Sequence, residues 1–225
     1  MLTAAEAIAA WEAAGDLAAT LRICDAQAAT LPPLPAGLTS LVCSSCTGLI
    51  CLPALPAGLT RLSCMNCTGL VCFPALPTTL TLLFCSGCPG IMSLPALPAG
   101  LTSLNCYGCP GLISLPALPA TLTELSCSCC PGLTSLSALP AALTQLLCWD
   151  CPGLSCLPAL PAGLTRLYYC STHRTALPDT CPPALAQLNG VPANRRFWQQ
   201  KVDAQHARQR AAVAWALPAL ALLYV

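Results

Sequence analysis

The sequence predicts an α/β-type solenoid, in which short coils of chain stack side by side and share one hydrophobic core. Three features of the chain indicate this: a unit of 21 residues recurs, half of each unit alternates in polarity, and the other half is rich in proline. A fixed period of this length is typical of solenoids, because a single coil cannot bury its apolar residues but a stack can. The units begin at Leu31, Leu52, Phe73, Leu94, Leu115, Leu136 and Leu157.

The unit at residues 94–114, LPALPAGLTSLNCYGCPGLIS, shows how one coil is expected to form. Leu104 and Cys106 alternate with polar neighbours, which is the period-two pattern of a short strand with one buried face. The run Leu101-x-x-Leu104-x-Cys106-x-x-Cys109 has the spacing of the leucine-rich-repeat core. Successive strands should therefore pair in parallel and line one concave face.

The other half of the unit predicts an extended, polyproline-like leg on the convex side. Pro95 and Pro98 lack a backbone N–H, and each favours an extended conformation at the leucine that precedes it. We expect Gly100 and Gly111 to lie at the turns between the two halves.

The start of the chain predicts a helix that caps the first coil. Thr3 and Glu6 have the spacing of a capping box for a helix over residues 4–14, and Gly15 is a suitable stop. We expect Trp11 to pack this helix on the end of the stack, since terminal repeats need a cap.

The end of the chain changes character and predicts a second cap. A basic helix is expected over residues 194–215, with Phe197 and Trp198 against the last coil, and an apolar tail at 211–225. A basic docking site and a membrane anchor are the alternatives for this region. The expected domains are residues 1–16 for the N-terminal helix, 17–190 for the solenoid and 191–225 for the C-terminal segment.

The string LPALPAGLTSL resembles the short LP-x-LP-x-x-L-x-x-L leucine-rich repeats of secreted bacterial effectors, and related repeats of large DNA viruses. The resemblance covers roughly residues 17–190 and implies the fold, while one such scaffold hosts many binding roles. Cysteine replaces the usual asparagine of those repeats, and because a thiol donates weakly we expect a weaker internal ladder. The replaced positions are Cys46, Cys67, Cys88, Cys109, Cys130 and Cys151.

The Cys-x-x-Cys pairs, from Cys43-x-x-Cys46 to Cys148-x-x-Cys151, have the spacing of zinc ligands. In register, both cysteines of a pair point inward, so we interpret them as small buried hydrophobes. Bound zinc, an iron–sulfur cluster and partial disulfide formation are the alternatives. The chain has 19 cysteines and its start lacks a secretory signal, which favours free thiols in the cytoplasm, of a host cell if this is an effector or a viral protein.

Two motifs suggest catalysis or metal binding, and we assign neither. Cys170-x-x-His173, with Asp179 and Cys181, falls where the repeat decays, so an irregular end coil explains it and a metal site or Cys–His dyad is the alternative. Cys148-Trp149-Asp150 resembles the Cys-x-Asp of the ubiquitin-ligase domain that follows some bacterial repeats. That domain is a separate fold and Cys148 is a core position, so we expect no catalytic residue, metal or cofactor.

Composition favours neither nucleic acid nor membrane as a partner. The net charge is +1, charged residues make up 8% of the chain, and none lies between Arg61 and Glu124. Proline and polar residues interrupt the apolar runs of the repeats well short of the ~18 residues that a membrane span needs. No phosphate-binding loop or catalytic triad pattern points to a small-molecule substrate.

The concave face carries the functional prediction, because its outward positions vary between coils whereas the inward positions do not. Phe84 with Leu82, and Trp149 with Leu147 and Tyr168, are expected to form exposed apolar clusters, and Ser103 is expected to point outward beside them. Aromatic residues and arginine dominate binding hot spots, and exposed apolar patches usually mark contact sites; chance drift of the repeats is the alternative. The predicted partner-binding residues are Arg61, Met65, Leu82, Phe84, Asn105, Tyr107, Glu124, Leu147, Trp149, Arg166 and Tyr168.

These observations predict a cysteine-rich, non-enzymatic scaffold that binds a protein partner on its concave face. Two other functions stay open: a substrate-recognition module for a ubiquitin-ligase system, and a thiol-rich metal-binding or redox protein.

Overall fold

The computed structural model describes residues 2–16, 19–169, 177–178, 182–185, 187–188, 191–192, 200, 202–204 and 207. Within them the chain forms helix α1 (Ala4–Ala14) and a sheet of ten strands, and residues 200, 202–204 and 207 are also helical. The strands are β1 (Leu21–Ile23), β2 (Ser40–Ser44), β3 (Arg61–Met65), β4 (Leu82–Ser86), β5 (Ser103–Asn105), β6 (Glu124–Ser126), β7 (Gln145–Cys148), β8 (Arg166–Tyr169), β9 (Gln187–Leu188) and β10 (Val191–Pro192).

The predicted parallel-stranded solenoid is confirmed. Strands β1 to β9 lie side by side in chain order and pair in parallel, while β10 pairs antiparallel with β9. Each residue pairs with the residue one unit later, so that Leu104, for example, faces Leu83 on one side and Leu125 on the other. A parallel stack in this register places the same position of every coil in one continuous column.

The core is built from those columns. The second strand position is a fully buried leucine in each of β2, β3 and β4, and the fourth is a fully buried cysteine. Leu97 and the equivalent leucines of the proline-rich legs pack against this core from the other side and stay partly exposed. Leucines from both halves of a unit therefore share one interior, which extends from coil to coil.

Helix α1 covers the predicted residues and has the predicted ends. The Thr3 side chain accepts a hydrogen bond from the Glu6 N–H, the Glu6 carboxylate accepts one from the Thr3 N–H, and Gly15 ends the helix with φ +67°. Trp11 is buried, and its Nε1 donates to the Ala19 carbonyl at 2.9 Å. The helix thus packs beside β1, at the first coil.

Two turn columns connect the halves of each coil. The residue that directly follows β2, β3 and β4, and the equivalent residue of the next three units, adopts a left-handed backbone with φ between 54° and 67°; these residues are Ser45, Asn66, Gly87, Gly108, Cys129 and Asp150. The N–H of this residue donates to the next coil, as from Ser45 to the Met65 carbonyl at 2.8 Å. The second column is glycine at 48, 69, 90, 111, 132 and 153, where a Cβ would press on a backbone carbonyl of the preceding coil. Glycine is required there because the backbones of two successive coils approach each other closely.

Several predicted features lie outside the described residues, wholly or in large part. They are the helix over 194–215, the cluster of Cys170, His173, Asp179 and Cys181, and the tail at 211–225. The three domain boundaries stay predictions. Among the described residues, no helix combines the length and apolar character needed to cross a membrane.

Candidate functional site

Two buried columns of cysteine run through the solenoid. The first comprises Cys43, Cys64, Cys85, Cys106, Cys127 and Cys148, and the second comprises Cys46, Cys67, Cys88, Cys109, Cys130 and Cys151. Both columns are shielded from solvent, and none of these twelve residues forms a disulfide. The interpretation as buried small side chains therefore holds for both.

The second column forms a thiol ladder between coils. Each thiol donates to a backbone carbonyl of the coil before it, as Cys67 does to Cys43 at 3.5 Å and Cys109 to Cys85 at 2.7 Å. Because these carbonyls are buried among apolar side chains, a missing donor there would leave a costly unsatisfied group. The thiols thus take the bridging role that asparagine has in the repeats they resemble.

Burial makes most of these thiols poor ligands and nucleophiles. Cys43 and Cys67 are exceptions, because hydrogen bonds from neighbouring thiols, first of all Cys46, lower their pKa, to about 5 for Cys43. Loss of solvent raises the pKa of Cys127 well above its ordinary value and raises that of Cys130 to about 12. Such thiols stay protonated at neutral pH, whereas the thiolate is the form that reacts and binds metal. Within the described part of the chain, no group of three or more Cys, His, Asp or Glu side chains could hold a metal ion.

The expectation of free thiols throughout is wrong for Cys51 and Cys72, which form a disulfide. They occupy the last position of two successive units, where an isolated parallel bridge sets them directly opposite each other with a Cα–Cα distance of 5.5 Å. That distance is normal for a disulfide. The sequence signal for this disulfide is the separation of the two cysteines by one full period of 21 residues, which the Cys-x-x-Cys spacing does not include.

The sheet face, as the term is used from here on, comprises the outward positions of strands β2–β8 and the residues that continue the column of Ser44 and Met65 just beyond the shorter strands, Tyr107, Ser128 and Trp149. It is the predicted concave face. Among the predicted partner-binding residues, Arg61, Met65, Tyr107, Glu124, Trp149 and Arg166 are exposed, whereas Leu82, Phe84, Asn105, Leu147 and Tyr168 are half-buried. Of the two predicted exposed clusters, Phe84 with Leu82 is half-buried, and in that of Trp149 with Leu147 and Tyr168 only Trp149 is exposed. Parallel strands lie only about 4.8 Å apart, so each central side chain is flanked by its neighbours on both sides.

Ser103 also departs from the prediction, because it is buried, with 7% of its surface exposed. Its hydroxyl lies 3.2 Å from Oε2 of Glu124 on the next strand and donates to it. The longer glutamate covers the serine, so an outward register position does not guarantee exposure.

The most exposed aromatic residues on the sheet face are Tyr107 and Trp149, at 43% and 40%. They come from coils two steps apart, yet their ring centroids are 5.9 Å apart and their planes are tilted by 51°. Ser128, the equivalent residue of the coil between them, has no exposed surface. The two rings therefore lean over Ser128 and form one aromatic pair.

Hydrogen bonds fix the backbone at both residues of this pair. The Trp149 N–H donates to the Ser128 hydroxyl at 3.3 Å, and the Tyr107 N–H donates to Oδ1 of Asn105 at 2.9 Å. A side-chain hydrogen bond with Cys129 raises the pKa of Tyr107, and the negative charge of Asp150 adds to this effect. The tyrosine is thus neutral, and its backbone is fixed by Asn105.

A second apolar surface lies away from the sheet face and was missed by sequence reasoning. Ile50, Val71, Met92 and Ile113 occupy the next-to-last position of four successive units and are 49–60% exposed. Backbone bonds join them coil to coil, as from the Val71 N–H to the Ile50 carbonyl at 3.0 Å. We call these four residues the apolar stripe; a comparison of equivalent positions in the units would have revealed it.

Comparison with known structures supports the fold assignment. The chain aligns with YopM from Yersinia enterocolitica at 31% identity and a TM-score of 0.57, over 73% of this chain and 38% of YopM. The chain thus spans well under half of YopM. The structural likeness over the aligned part confirms the leucine-rich-repeat class and the resemblance to bacterial effectors. A leucine-rich effector, YopM from Yersinia pestis, aligns at 22% identity (73% of this chain, 63% of that one, TM-score 0.36). A leucine-rich-repeat protein from Bacteroides ovatus aligns at 14% (74% and 65%, TM-score 0.33).

No protein-family model matches the sequence, and no curated protein matches it.

Proposed function

We propose that this leucine-rich-repeat solenoid is a non-enzymatic scaffold that binds a protein partner on its sheet face. The observation that carries the proposal is the exposed pair of Tyr107 and Trp149, whose rings pack against each other on that face. Tyrosine and tryptophan are enriched among the residues that dominate binding energy. Fixed aromatic side chains also lose little conformational entropy when a partner binds.

The dimensions of the sheet face suit a protein rather than a small molecule. The seven parallel strands β2–β8, spaced by about 4.8 Å, give a surface of roughly 29 Å in length. Stable protein interfaces bury about 800 Å² on each partner, and a surface of this length can supply a large part of that area. Tyr107 lies at the middle of its length, where hot spots usually lie, and Trp149 lies two strands further on.

The remaining residues of the proposed interface surround this pair. Arg61 and Arg166 are exposed near opposite ends of the face, and Arg166 Nη1 donates to Gln145 Oε1 at 3.2 Å. Charges at the rim of an interface affect association rate more than affinity. Half-buried Phe84, Leu82, Leu147 and Tyr168 would add complementary contacts around the anchors.

The proposal is tested by affinity capture with purified full-length chain and matched variants. Trp149→Ala and Tyr107→Ala should each lose on the order of 2 kcal/mol of binding to the captured protein, as hot-spot truncations do. Ile113→Ser is the control, because Ile113 is also exposed, at 49%, but belongs to the apolar stripe. Thermal stability should be similar in all three variants. If Ile113→Ser weakens binding as much as Trp149→Ala, the sheet face is not the interface.

We further propose that the chain acts in a reducing compartment, the cytoplasm, because its two buried cysteine columns contain no disulfide. In such a compartment the Cys51–Cys72 disulfide of the structure would be reduced. Alkylation of protein taken directly from its native cells should therefore label Cys51 and Cys72 without prior reduction; recovery of the intact disulfide would place the chain in an oxidising compartment instead.

A further inference from the structure

Within the sheet face the geometry points to one subsite: we propose that Tyr107, Trp149 and Asp150 hold an arginine side chain of the protein partner. This inference rests on the proposed function and narrows it to a ligand chemistry. It depends on three properties of the site, namely open aromatic faces, rigidity and the sign of the local charge.

The aromatic pair offers π-faces to solvent. With centroids 5.9 Å apart and a tilt of 51°, the rings of Tyr107 and Trp149 do not cover each other, and about two-fifths of each side chain is exposed. The negative π-face of an aromatic ring attracts a cation, and tryptophan is the strongest such partner. An arginine guanidinium is flat and weakly hydrated, so it can stack on such a ring.

The pair is also fixed before any ligand arrives. Buried Ser128 forms the floor between the rings and bonds to the backbone of Trp149, Asn105 bonds to the backbone of Tyr107, and the contact between the two rings restrains both side chains. A site that is already ordered spends little binding energy on ordering itself.

The charge around the site favours a cation. Between Arg61 and Arg166 the sequence has only two residues of the Asp, Glu, Lys and Arg set, Glu124 and Asp150, and both are negative. Asp150 follows Trp149 directly, is exposed, and lies near enough to Tyr107 to influence its hydroxyl. Glu124 accepts a hydrogen bond from Ser103 further along the face. A guanidinium on the rings could therefore donate to the carboxylate of Asp150 as well as stack.

The test uses full-length protein labelled with 5-fluorotryptophan and ¹⁹F NMR, which reports separately on each of the four tryptophans. The probe is Nα-acetyl-arginine N-methylamide, and the matched control is the citrulline analogue, which has the same shape without the charge. The arginine probe should shift the Trp149 signal in a saturable manner and leave the Trp11 signal unchanged. Loss of the charge should weaken binding about two- to fivefold, as expected for an exposed cation–π contact. Trp149→Phe identifies the signal.

Two variants separate the contributions of the site. Asp150→Asn keeps a residue that tolerates the left-handed backbone found there, φ +56°, and removes only the charge. It should reduce the difference between arginine and citrulline, whereas Ile113→Ser on the apolar stripe should not. Tyr107→Leu should weaken the arginine probe severalfold while the chain stays folded.

The outcomes distinguish this inference from the function on which it rests. Equal binding of citrulline and arginine, or no saturable shift, overturns the arginine subsite even if a captured partner still requires Trp149. Equal binding of the corresponding lysine probe overturns the assignment of a guanidinium. A charge-dependent arginine site combined with partner binding that ignores the sheet face would retain the arginine-binding subsite and refute the sheet face as the partner interface.

Discussion

The inward and outward columns of this solenoid follow different rules, although the same coils supply both. Inward columns repeat one residue type along the stack, because each must fill the same space between neighbouring coils. Outward columns change from coil to coil, as from Ser128 to Trp149. Cysteine occurs in both: Cys109 is fully buried and bonds to the previous coil, whereas Cys156 is exposed. The comparison teaches that position in the coil, rather than residue type, decides the role of a side chain.

The largest difference between the two kinds of column should appear in stability. Leu125→Ala removes a fully buried side chain and should lower the free energy of unfolding by roughly 2–5 kcal/mol. Ser126→Ala, the adjacent and half-buried outward position, should change it by less than about 0.5 kcal/mol. Chemical denaturation followed by circular dichroism measures both. Similar losses at the two positions would mean that inward and outward positions do not differ as described.

The disulfide offers a second test, because it places an outward cysteine pair in a structural role. Cys51 and Cys72 are separated by 21 residues, and closing a loop of that length stabilises a protein by about 3 kcal/mol in the chain-entropy account. Cys51→Ser should therefore lower the free energy of unfolding by about that amount under non-reducing conditions. Under reducing conditions Cys51→Ser and the parent chain should be equally stable. Cys156→Ser serves as the control and should have little effect in either condition.

The thiol ladder should matter somewhat less per residue. Cys109→Ala deletes the donor to the buried Cys85 carbonyl and should cost about 1–3 kcal/mol for the unsatisfied group. The same change at exposed Cys156 should leave stability within about 0.5 kcal/mol of the parent chain. Equal tolerance at both sites, measured by denaturant titration, would show that the ladder bonds contribute nothing.

Ionisation of the buried thiols of the second cysteine column has the smallest expected effect on stability near neutral pH. This effect grows as the pH rises. Burial raises the pKa of Cys130 to about 12, whereas an unfolded thiol has the ordinary value of 9.0. The protonated thiol is therefore favoured by folding, and its contribution is complete below pH 9 and is lost as pH rises toward 12. Cys130→Ala should flatten the decline in stability over that window relative to the parent chain, and Cys156→Ala should not. A parent chain equally stable at pH 8 and pH 11 would contradict this.

Much of the fold was predictable because the repeat is regular. The period fixed the strand positions, and the Thr3–Glu6 capping box located α1 to the residue. The exposure of individual side chains was less predictable, since it depends on the neighbouring coil. Ser103 is buried because Glu124 reaches over it, and Ser128 is buried because two aromatic rings lean across it. Neither event can be inferred from the alternation within a single unit.

The candidate site was predicted in part for the same reason. Tyr107 and Trp149 were identified as outward residues, but their contact across an intervening coil requires knowledge of both side-chain directions. The apolar stripe and the Cys51–Cys72 pair occupy the last two positions of the unit, to which the sequence analysis gave no role. Comparison of equivalent positions along the stack, rather than within a unit, would have found both.

The glycine column determines which added units can extend this molecule. A Cβ at Gly132 would lie 2.7 Å from the Pro110 carbonyl oxygen, and one at Gly153 would lie 2.7 Å from that of Pro131, so a backbone atom rather than a pliable side chain enforces the choice. A spliced-in module of 21 residues can dock anywhere in the array if it supplies glycine at this point and inward leucines in phase. Each added module lengthens the sheet face by about 4.8 Å. The length of the sheet face therefore changes in whole steps of one module. Insertion or deletion of complete modules can alter it without redesigning a loop.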